Sequence, residues 1–268
     1  MMPPGGAGVS QPGGMPAAPE PHVDLEGVVA DLRHQLRRLE AAIGAEMPPA
    51  ECSVRAFAGE ERWPVTLAIA AAIALQASLS RELELGPSGL LVGLESALGV
   101  ALLVANPRRI DRRSRVLRAM SITLIALTSM ANAWASYSLI RDIVVGHRPT
   151  LGAVSLLASG GAVYLTNIVV FGLWYWEWES GGPVARARSG RPRPDLAFPQ
   201  DLSNSVAAPG WAPTFADYLY VSYTNATAFS PTDTMPLSRW AKLLMMLQSA
   251  VALVTVGLVV ARAVNILP

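Results

Sequence analysis

A short polar segment near the end of the chain carries the side chains best suited to binding an ion. Its candidate residues are Asn225, Thr227, Phe229, Ser230, Pro231, Thr232 and Asp233. Hydroxyl and amide oxygens replace part of an ion's hydration shell, and a ring of carboxylates attracts cations and repels anions. Phe229 could instead close a pathway as a hydrophobic gate. A competing interpretation is that Asp233 only caps the turn or pairs with Arg239 or Lys242.

Two helices position this polar segment. Thr214 and Asp217 form a Thr-x-x-Asp pattern, which is typical of a helix start. The aromatic helix predicted after it is too short and too polar to be a membrane span. Pro231 and the neighbouring Ser, Thr and Asp side chains disfavour a helix in the segment itself. From Leu237 to Val260 the chain is helical and mainly apolar again. A short helix, a polar turn and a spanning helix are the plan of a re-entrant pore loop.

The last helix also carries a polar stripe. Gln248, Thr255 and Arg262 are seven residues apart and therefore share one helix face. In a spanning helix such a face is expected to look into a bundle or a pore rather than at lipid. Lining a pore and hydrogen bonding between protomers are equally good interpretations of this stripe.

The C-terminal segment resembles the pore module of the two-helix potassium-channel superfamily. Aligned without gaps, Thr227 takes the place of the threonine before the filter, residues 228–232 take the filter, and Asp233 takes the acid after it. Three later positions match the proline, aromatic and basic residues that often follow: Pro236, Trp240 and Lys242. Both filter glycines are absent, and Ser, Thr and Pro do not adopt the required backbone shapes cheaply. The resemblance therefore implies a pore-like fold without a potassium cage.

The last third of the chain also resembles a family of bacterial integral-membrane proteins for which no activity is established. The matching stretches are Phe198-Pro199, Asp217 to Thr224, Thr227 to Asp233 and Ala263 to Leu267. This resemblance implies a membrane architecture in the bacterial plasma membrane, and it carries over no activity.

The composition indicates an integral membrane protein. Of the 268 residues, 51% are hydrophobic and 15% are charged, whereas a soluble domain carries about 25% charged residues. The apolar blocks predict an all-α polytopic membrane protein with about five transmembrane helices and a re-entrant pore-like helix-loop. We expect a four-helix membrane region at 62–179, a linker at 180–213 and the pore-like module at 214–268. The aromatic-acidic cluster that ends the fourth helix, Trp174 to Glu179, is interpreted as an interfacial belt, with a ligand-binding role as the alternative.

The N-terminal region is predicted to lie outside the membrane. Residues 1–21 are rich in Pro and Gly and are expected to form a disordered tail. Residues 22–45 have leucines seven apart, at Leu25, Leu32 and Leu39, with Val29 and others interleaved. This heptad pattern predicts a cytoplasmic coiled-coil helix. The alternative is an amphipathic helix that lies on the membrane or on its own domain.

Three polar residues are expected at membrane depth outside the pore-like module: Glu95, Asn132 and Asn167. An acid at that depth is costly, so Glu95 should face a partner or water rather than lipid. It is interpreted either as an ion or proton site or as one end of a hydrogen bond to a neighbouring helix. Asn132 and Asn167 are the first choices for its partner.

The arginines predict the topology. They concentrate in the N-terminal segment, in the loop at 106–118 and in the linker after the fourth span, and cytoplasmic loops carry the excess of Lys and Arg. The N-terminus is therefore expected in the cytoplasm, and five spans leave the C-terminus outside. The pore-like loop would then enter from the cytoplasm. The alternatives are that residues 211–229 cross as a sixth span, or that the fold only resembles that of a channel.

We expect neither an enzyme nor a cofactor. His22, His34 and His147 lie far apart in the sequence, and the single Cys52 excludes an internal disulfide and a cysteine metal cluster. No nucleic-acid partner is expected, because the arginine run at 106–118 lies between spans and has no interleaved aromatic residues.

Two functions are compatible with these features. The first is a weakly selective cation pathway in a homo-oligomer, with a tetramer favoured and a dimer as the alternative, because one pore segment supplies only part of a ring. Its partners would be the lipid bilayer and monovalent cations. The second is a non-conducting membrane scaffold or sensor that retains a channel-like fold.

Overall fold

The computed structural model divides the chain into two compact units, residues Met1–Glu51 and Cys52–Pro268. It describes residues 31–38, 60–79, 83, 85, 89–105, 109–110, 114–145, 153–189, 191, 193–202, 211–227 and 233–266. In the first unit, residues 31–38 are helical, and Leu32 and Leu36 are exposed. The helix agrees with this part of the predicted coiled coil, whereas its pairing with another copy stays a prediction. The predicted tail at 1–21 lies outside the described residues.

The second unit is built almost entirely of helices. The helices are α1 (Trp63–Ala77), α2 (Leu90–Ala105), α3 (Arg115–Val145), α4 (Ala153–Trp178), α5 (Pro183–Ser189), α6 (Pro199–Leu202), α7 (Phe215–Thr227) and α8 (Arg239–Ile266). A single turn of 3-10 helix, Glu179–Gly181, extends α4. The short strands are β1 (Glu60–Glu61), β2 (Arg109–Ile110), β3 (Leu196–Ala197) and β4 (Met235–Pro236). Strand β1 pairs antiparallel with β2, and β3 pairs antiparallel with β4. The predicted all-α class is confirmed.

Three helices of the described residues are long and apolar enough to cross a membrane. They are α3, α4 with the turn that follows it, and α8. The two other apolar helices, α1 and α2, have 15 and 16 residues. Each therefore extends roughly 22–24 Å at the usual helical rise, which is less than the roughly 30 Å hydrocarbon core of a bilayer.

Helix α4 is the centre of the bundle. It packs against α1, α3, α7 and α8, while α2 packs mainly on α1 and α3. Close approach at two α4 glycines makes this arrangement possible. A Cβ atom on Gly172 would lie 3.3 Å from the Cα of Leu219 in α7, and one on Gly160 would lie 2.7 Å from a methyl group of Val259 in α8.

Five helix ends meet at one end of the bundle, which we call the cap end. Trp176 near the end of α4 donates to Glu60, just before α1, and Glu60 also accepts from the amide of Phe215 at the start of α7. Arg118 near the start of α3 pairs with Glu177 of α4. Trp240 at the start of α8 donates to Asp195, whose other carboxylate oxygen accepts from the backbone at the end of α4. The β3–β4 pair adjoins Asp195.

Helix α7 therefore begins at the cap end, and the chain is back at the cap end by β4. Between these points α7 runs alongside α8 in the same direction, since Asn225 near its end contacts Met245 and Gln248 of α8. Its 13 residues extend about 20 Å. Helix α7 is therefore shorter than the roughly 30 Å hydrocarbon core of a bilayer.

The contact between Gly160 and Val259 yields a prediction with an internal control. Gly160→Ala places a methyl group against both Val259 methyls, at 2.7 and 2.8 Å, so it should lower the free energy of unfolding by about 1–3 kcal/mol. Gly161→Ala, next to it, meets nothing within 4 Å and should be neutral or slightly stabilising. Thermal unfolding of the detergent-solubilised protein measures both. Val259→Ala should recover part of the Gly160→Ala loss, and equal unfolding temperatures for the two alanine variants would contradict the close contact.

Candidate functional site

Glu179 is the centre of a buried ionic cluster at the cap end. Its side chain is fully buried. One carboxylate oxygen accepts from the hydroxyl of Tyr218 at 2.9 Å, and the other accepts from Ser180 at 2.6 Å and from Nε of Arg191 at 3.0 Å. Nη1 of Arg186 lies 3.6 Å from the first oxygen. Two arginines thus offset a carboxylate that would be very costly to bury alone.

Arg186 closes the end of α4. Its side chain is almost fully buried, and Nη1 donates to the backbone carbonyls of Trp176 at 2.7 Å and Glu179 at 2.9 Å. A cation at the C-terminus of a helix satisfies otherwise unpaired carbonyls and interacts favourably with the helix dipole. The guanidinium also lies 5.0 Å from the centre of the Tyr218 ring, within the range of a cation–π contact. Arg186 therefore holds both the end of α4 and the first turn of α7.

The turn after α4 has an unusual backbone that brings Arg186 into place. Ser180, Gly181 and Gly182 all have positive φ, at 49°, 83° and 94°. A Cβ atom on Gly182 would lie 2.9 Å from the carbonyl oxygen of Glu177, so this position requires glycine both for its φ and for space. The amide of Ser180 donates to Asp195 at 3.1 Å, which helps to hold the strained residue.

The start of α7 is held by two carboxylates. Asp217 accepts from the backbone amide of Thr214 at 2.7 Å and from its hydroxyl at 2.9 Å, so the predicted Thr-x-x-Asp helix start is confirmed. Glu60 accepts from the amide of Phe215 and from the indole of Trp176. Burial raises the pKa of the Glu60 carboxyl, although these two donors and the nearby Arg186 each lower it.

A second set of polar residues joins α4, α7 and α8 inside the bundle. Gln248 of α8 is fully buried, and its carbonyl oxygen accepts from the hydroxyl of Tyr175 at 2.6 Å and from the amide of Asn225 at 2.9 Å. Its own amide donates to the backbone and hydroxyl oxygens of Ser222 at 2.9 and 2.7 Å. We call these four residues the Gln248 network. Each hydrogen bond is strong in this water-poor interior, and each lost partner would leave a buried polar group unpaired.

The predicted ion-binding residues do not share one surface. Asn225 points into the bundle and belongs to the Gln248 network, whereas Thr227 is exposed and its hydroxyl donates to the backbone of Tyr223 at 2.9 Å. Asp233 is exposed. The remaining four residues lie outside the described residues: Phe229, Ser230, Pro231 and Thr232.

The predicted stripe on the last helix lies mostly inside the bundle. Gln248 and Thr255 are buried, and Arg262 is half-buried. Gln248 makes hydrogen bonds within one chain, which neither interpretation of the stripe foresaw. The hydroxyl of Thr255 meets no hydrogen-bond partner among the described residues.

Glu95 is shielded as expected, but it does not bond to Asn132 or Asn167, the two partners predicted first. It is fully buried, yet neither carboxyl oxygen bonds to any described residue, and the same is true of the Asn167 amide. The reason lies in the packing, because α2 packs mainly on α1 and α3 while Asn167 lies on α4. From α3 it is Thr128, one turn before the buried Asn132, that faces Glu95.

Sequence reasoning missed the ionic cluster. Its acids, Glu177 and Glu179, were interpreted as part of an interfacial belt, and its arginines were assigned to a linker. The segment predicted as that linker instead contains α5, β3 and α6, and these adjoin the cluster. One sequence signal could have predicted the cluster: acidic residues end an apolar helix, and an arginine-rich stretch follows at once. Within the described part of the chain, no group of His, Cys, Asp and Glu is suited to holding a metal ion.

The Gln248 network can be tested by removing one hydroxyl. Tyr175→Phe leaves the ring in place but deprives Gln248 of one donor, so it should lower the free energy of unfolding by about 0.5–1.5 kcal/mol. Gln248→Leu should cost more, because three partners lose a bond at once. Tyr137→Phe is the matched control, since Tyr137 is 58% exposed and should show no change. Chemical unfolding of the purified protein gives these values. A Tyr175→Phe variant as stable as Tyr137→Phe would show that this bond contributes nothing.

The chain matches no family model, no curated protein and no solved structure.

Proposed function

We propose that this chain is an integral membrane protein of the bacterial plasma membrane and that α7 with the polar segment after it forms a re-entrant loop. The observation that carries this proposal is the path of the chain, which enters at the cap end with Phe215 and is back there by Met235. Irregular backbone at membrane depth is tolerated only where protein or a water-filled cavity surrounds it. The Gln248 network supplies protein hydrogen-bond partners for the polar groups of α7 at that depth.

We assign the cap end to the cytoplasm. Arg115, Arg118, Arg186, Arg191 and Arg193 all belong to segments at this end, and an excess of arginine marks cytoplasmic segments. The start of α1 lies at the same end, which supports a cytoplasmic N-terminus. With α1 and α2 as two short spans beside the three long ones, five helices cross and the loop enters from the cytoplasm.

The function that this geometry supports best is a weakly selective cation pathway formed by several copies of the chain. Helix α7 ends inside the bundle with no basic residue in its last turn, and the C-terminus of a helix carries a partial negative charge that favours cations. Its outer face is exposed along Tyr220, Tyr223 and Thr227. Polar groups on a face at membrane depth favour protein or water as neighbours, which supports a homo-oligomer of about four chains, as in four-loop filters.

A second candidate function, a non-conducting scaffold or sensor, is favoured by a separate observation. Asn225 and Gln248, two of the residues predicted to line a pathway, bond to each other within one chain. Their polar groups are therefore satisfied without water or ions. In that case α7 and α8 would retain a channel-like fold without conducting ions. A sensor of this kind would respond through a change in helix packing.

Ion flux separates the two candidates. Protein in liposomes with a cation gradient should pass sodium and potassium at similar rates and exclude chloride, because carboxylates near the axis repel anions. Asp233→Asn should reduce the flux several-fold, whereas Glu61→Gln, which alters an exposed acid at the cap end, should leave it unchanged. Phe229→Ala is included in case an aromatic gate keeps the wild type closed. Absence of flux in the wild type and in Phe229→Ala would contradict the pathway and favour the scaffold.

A further inference from the structure

Glu95 lies apart from the α7 module, in the part of the bundle made by α1, α2 and α3. It is fully buried, and neither carboxyl oxygen forms a hydrogen bond with a described residue. The donor that faces it, the hydroxyl of Thr128, is already used, and so is the Gln76 amide that bonds to Thr128. The hydroxyl of Thr128 donates to the carbonyl of Leu124 at 2.9 Å, and the amide of Gln76 donates to the carbonyl of Thr128 at 3.2 Å.

No charged group of the packed helices offsets a charge on Glu95. Helix α1 contains no ionisable side chain, and Glu95 is the only one in α2. The charged residues of α3 are Arg115, Arg118, Arg141 and Asp142. Arg118 is the charged residue of α3 nearest to Thr128, and it is ten residues away, or about 15 Å along the helix. Tyr137, also on α3, is exposed and turned away from this interior. An ionised carboxylate here would therefore be desolvated and would have no charged partner among the described residues of these helices, which is very costly.

An open cleft lies at the end of the bundle opposite the cap. Its volume of about 20 Å³ is enough for a water molecule, and its lining includes Gln76, Leu83, Leu85, Gly89, Val92 and Ala131. Three of these residues lie where α1 ends and α2 begins. Val92 is one turn before Glu95 on α2, and Ala131 is one turn after Thr128 on α3. The cleft thus reaches within one helical turn of Glu95 on α2 and of Thr128 on α3.

We propose that Glu95 is a proton-binding site, held as the neutral carboxylic acid at rest and exchanging its proton with water that enters through this cleft. On release, the O–H bond of the carboxyl breaks and the proton passes to water. The hydroxyl of Thr128, which faces Glu95, can then turn from the backbone carbonyl of Leu124 toward the new carboxylate. The ligand is the proton rather than a metal cation, because the described residues offer only one carboxylate here and few other oxygens. This site goes beyond the proposed cation pathway and does not depend on α7.

A hydrophobic carbodiimide tests the site directly. The O–H of a neutral carboxylic acid adds across a C=N bond of dicyclohexylcarbodiimide, forming a C–O bond while the proton moves to nitrogen, and a shift of the acyl group to nitrogen gives a stable adduct that retains every atom. A carboxylate does not start this reaction. Full-length protein in liposomes should therefore gain the mass of one reagent at Glu95, to an extent that falls several-fold as the pH rises.

Two variants and a sodium competition serve as controls for the labelling. Glu95→Gln should not be labelled, and Glu61→Gln should be labelled like the wild type. Sodium at constant pH should not protect Glu95, because protection would identify a metal cation as the ligand and overturn the proposal. Labelling that does not change with pH would also overturn it.

A second measurement covers the case in which the reagent fails to reach the carboxyl. A carboxyl that is neutral in the folded state and ionised in the unfolded state destabilises the fold as the pH rises, because the unfolded state then binds fewer protons. Glu95→Gln has no proton to lose and should match the wild type at acidic pH. Its unfolding temperature should exceed that of the wild type by an amount that grows as the pH rises above about 4.3, the ordinary pKa of a glutamate carboxyl, and that levels off once the folded carboxyl ionises. A difference that does not vary with pH would contradict a neutral Glu95.

Discussion

Helix α7 ends inside the bundle, and a helix that stops there must have its final carbonyls and its polar side chains satisfied by protein or by water. The rest of the second unit can be understood from this constraint. At the cap end, Glu60 and Asp217 receive the first amides and the Thr214 hydroxyl. Inside the bundle, the hydroxyl of Thr224 returns to the carbonyls of Tyr220 and Val221 in its own helix. From α8, Gln248 donates to the carbonyl of Ser222 and Ser249 donates to the carbonyl of Asn225.

Both supports of α7 are carried by one helix. Tyr175 and Glu179 are four residues apart on α4 and its extension, so they lie one turn from each other on the same side. Tyr175 reaches the interior network through Gln248, and Glu179 reaches the first turn of α7 through Tyr218. In α7, Tyr218 and Ser222 repeat this spacing. One turn of α4 and one turn of α7 therefore connect the ionic cluster to the Gln248 network. A shift of α4 along its axis would disturb both sets of contacts.

Much of the architecture could be predicted from the sequence because it depends on local patterns. The apolar lengths of α3, α4 and α8 and the capping pair Thr214 and Asp217 are properties of neighbouring residues. The partners of Asn225 and Gln248 could not be predicted in the same way, since an amide that lines a pore and an amide that joins two helices look identical in sequence. The role of Arg186 could not be predicted for a related reason. Arg186 reaches the carbonyls at the end of α4 only because Ser180 and Gly182 have positive φ, which turns the chain back toward α4.

The path of α7 is the central claim, and cysteine labelling from one side of the membrane tests it most directly. In a Cys52→Ser background, single cysteines replace Ala216 at the start of α7, Met235 in β4 and Val264 near the end of α8, all three of which are exposed. A membrane-impermeant maleimide is added to vesicles of known orientation. We expect the cysteines at 216 and 235 to react from the cytoplasmic side and the cysteine at 264 to react only from the other. Reaction of 216 and 235 from opposite sides would show that residues 216–235 cross the membrane and would contradict the re-entrant path.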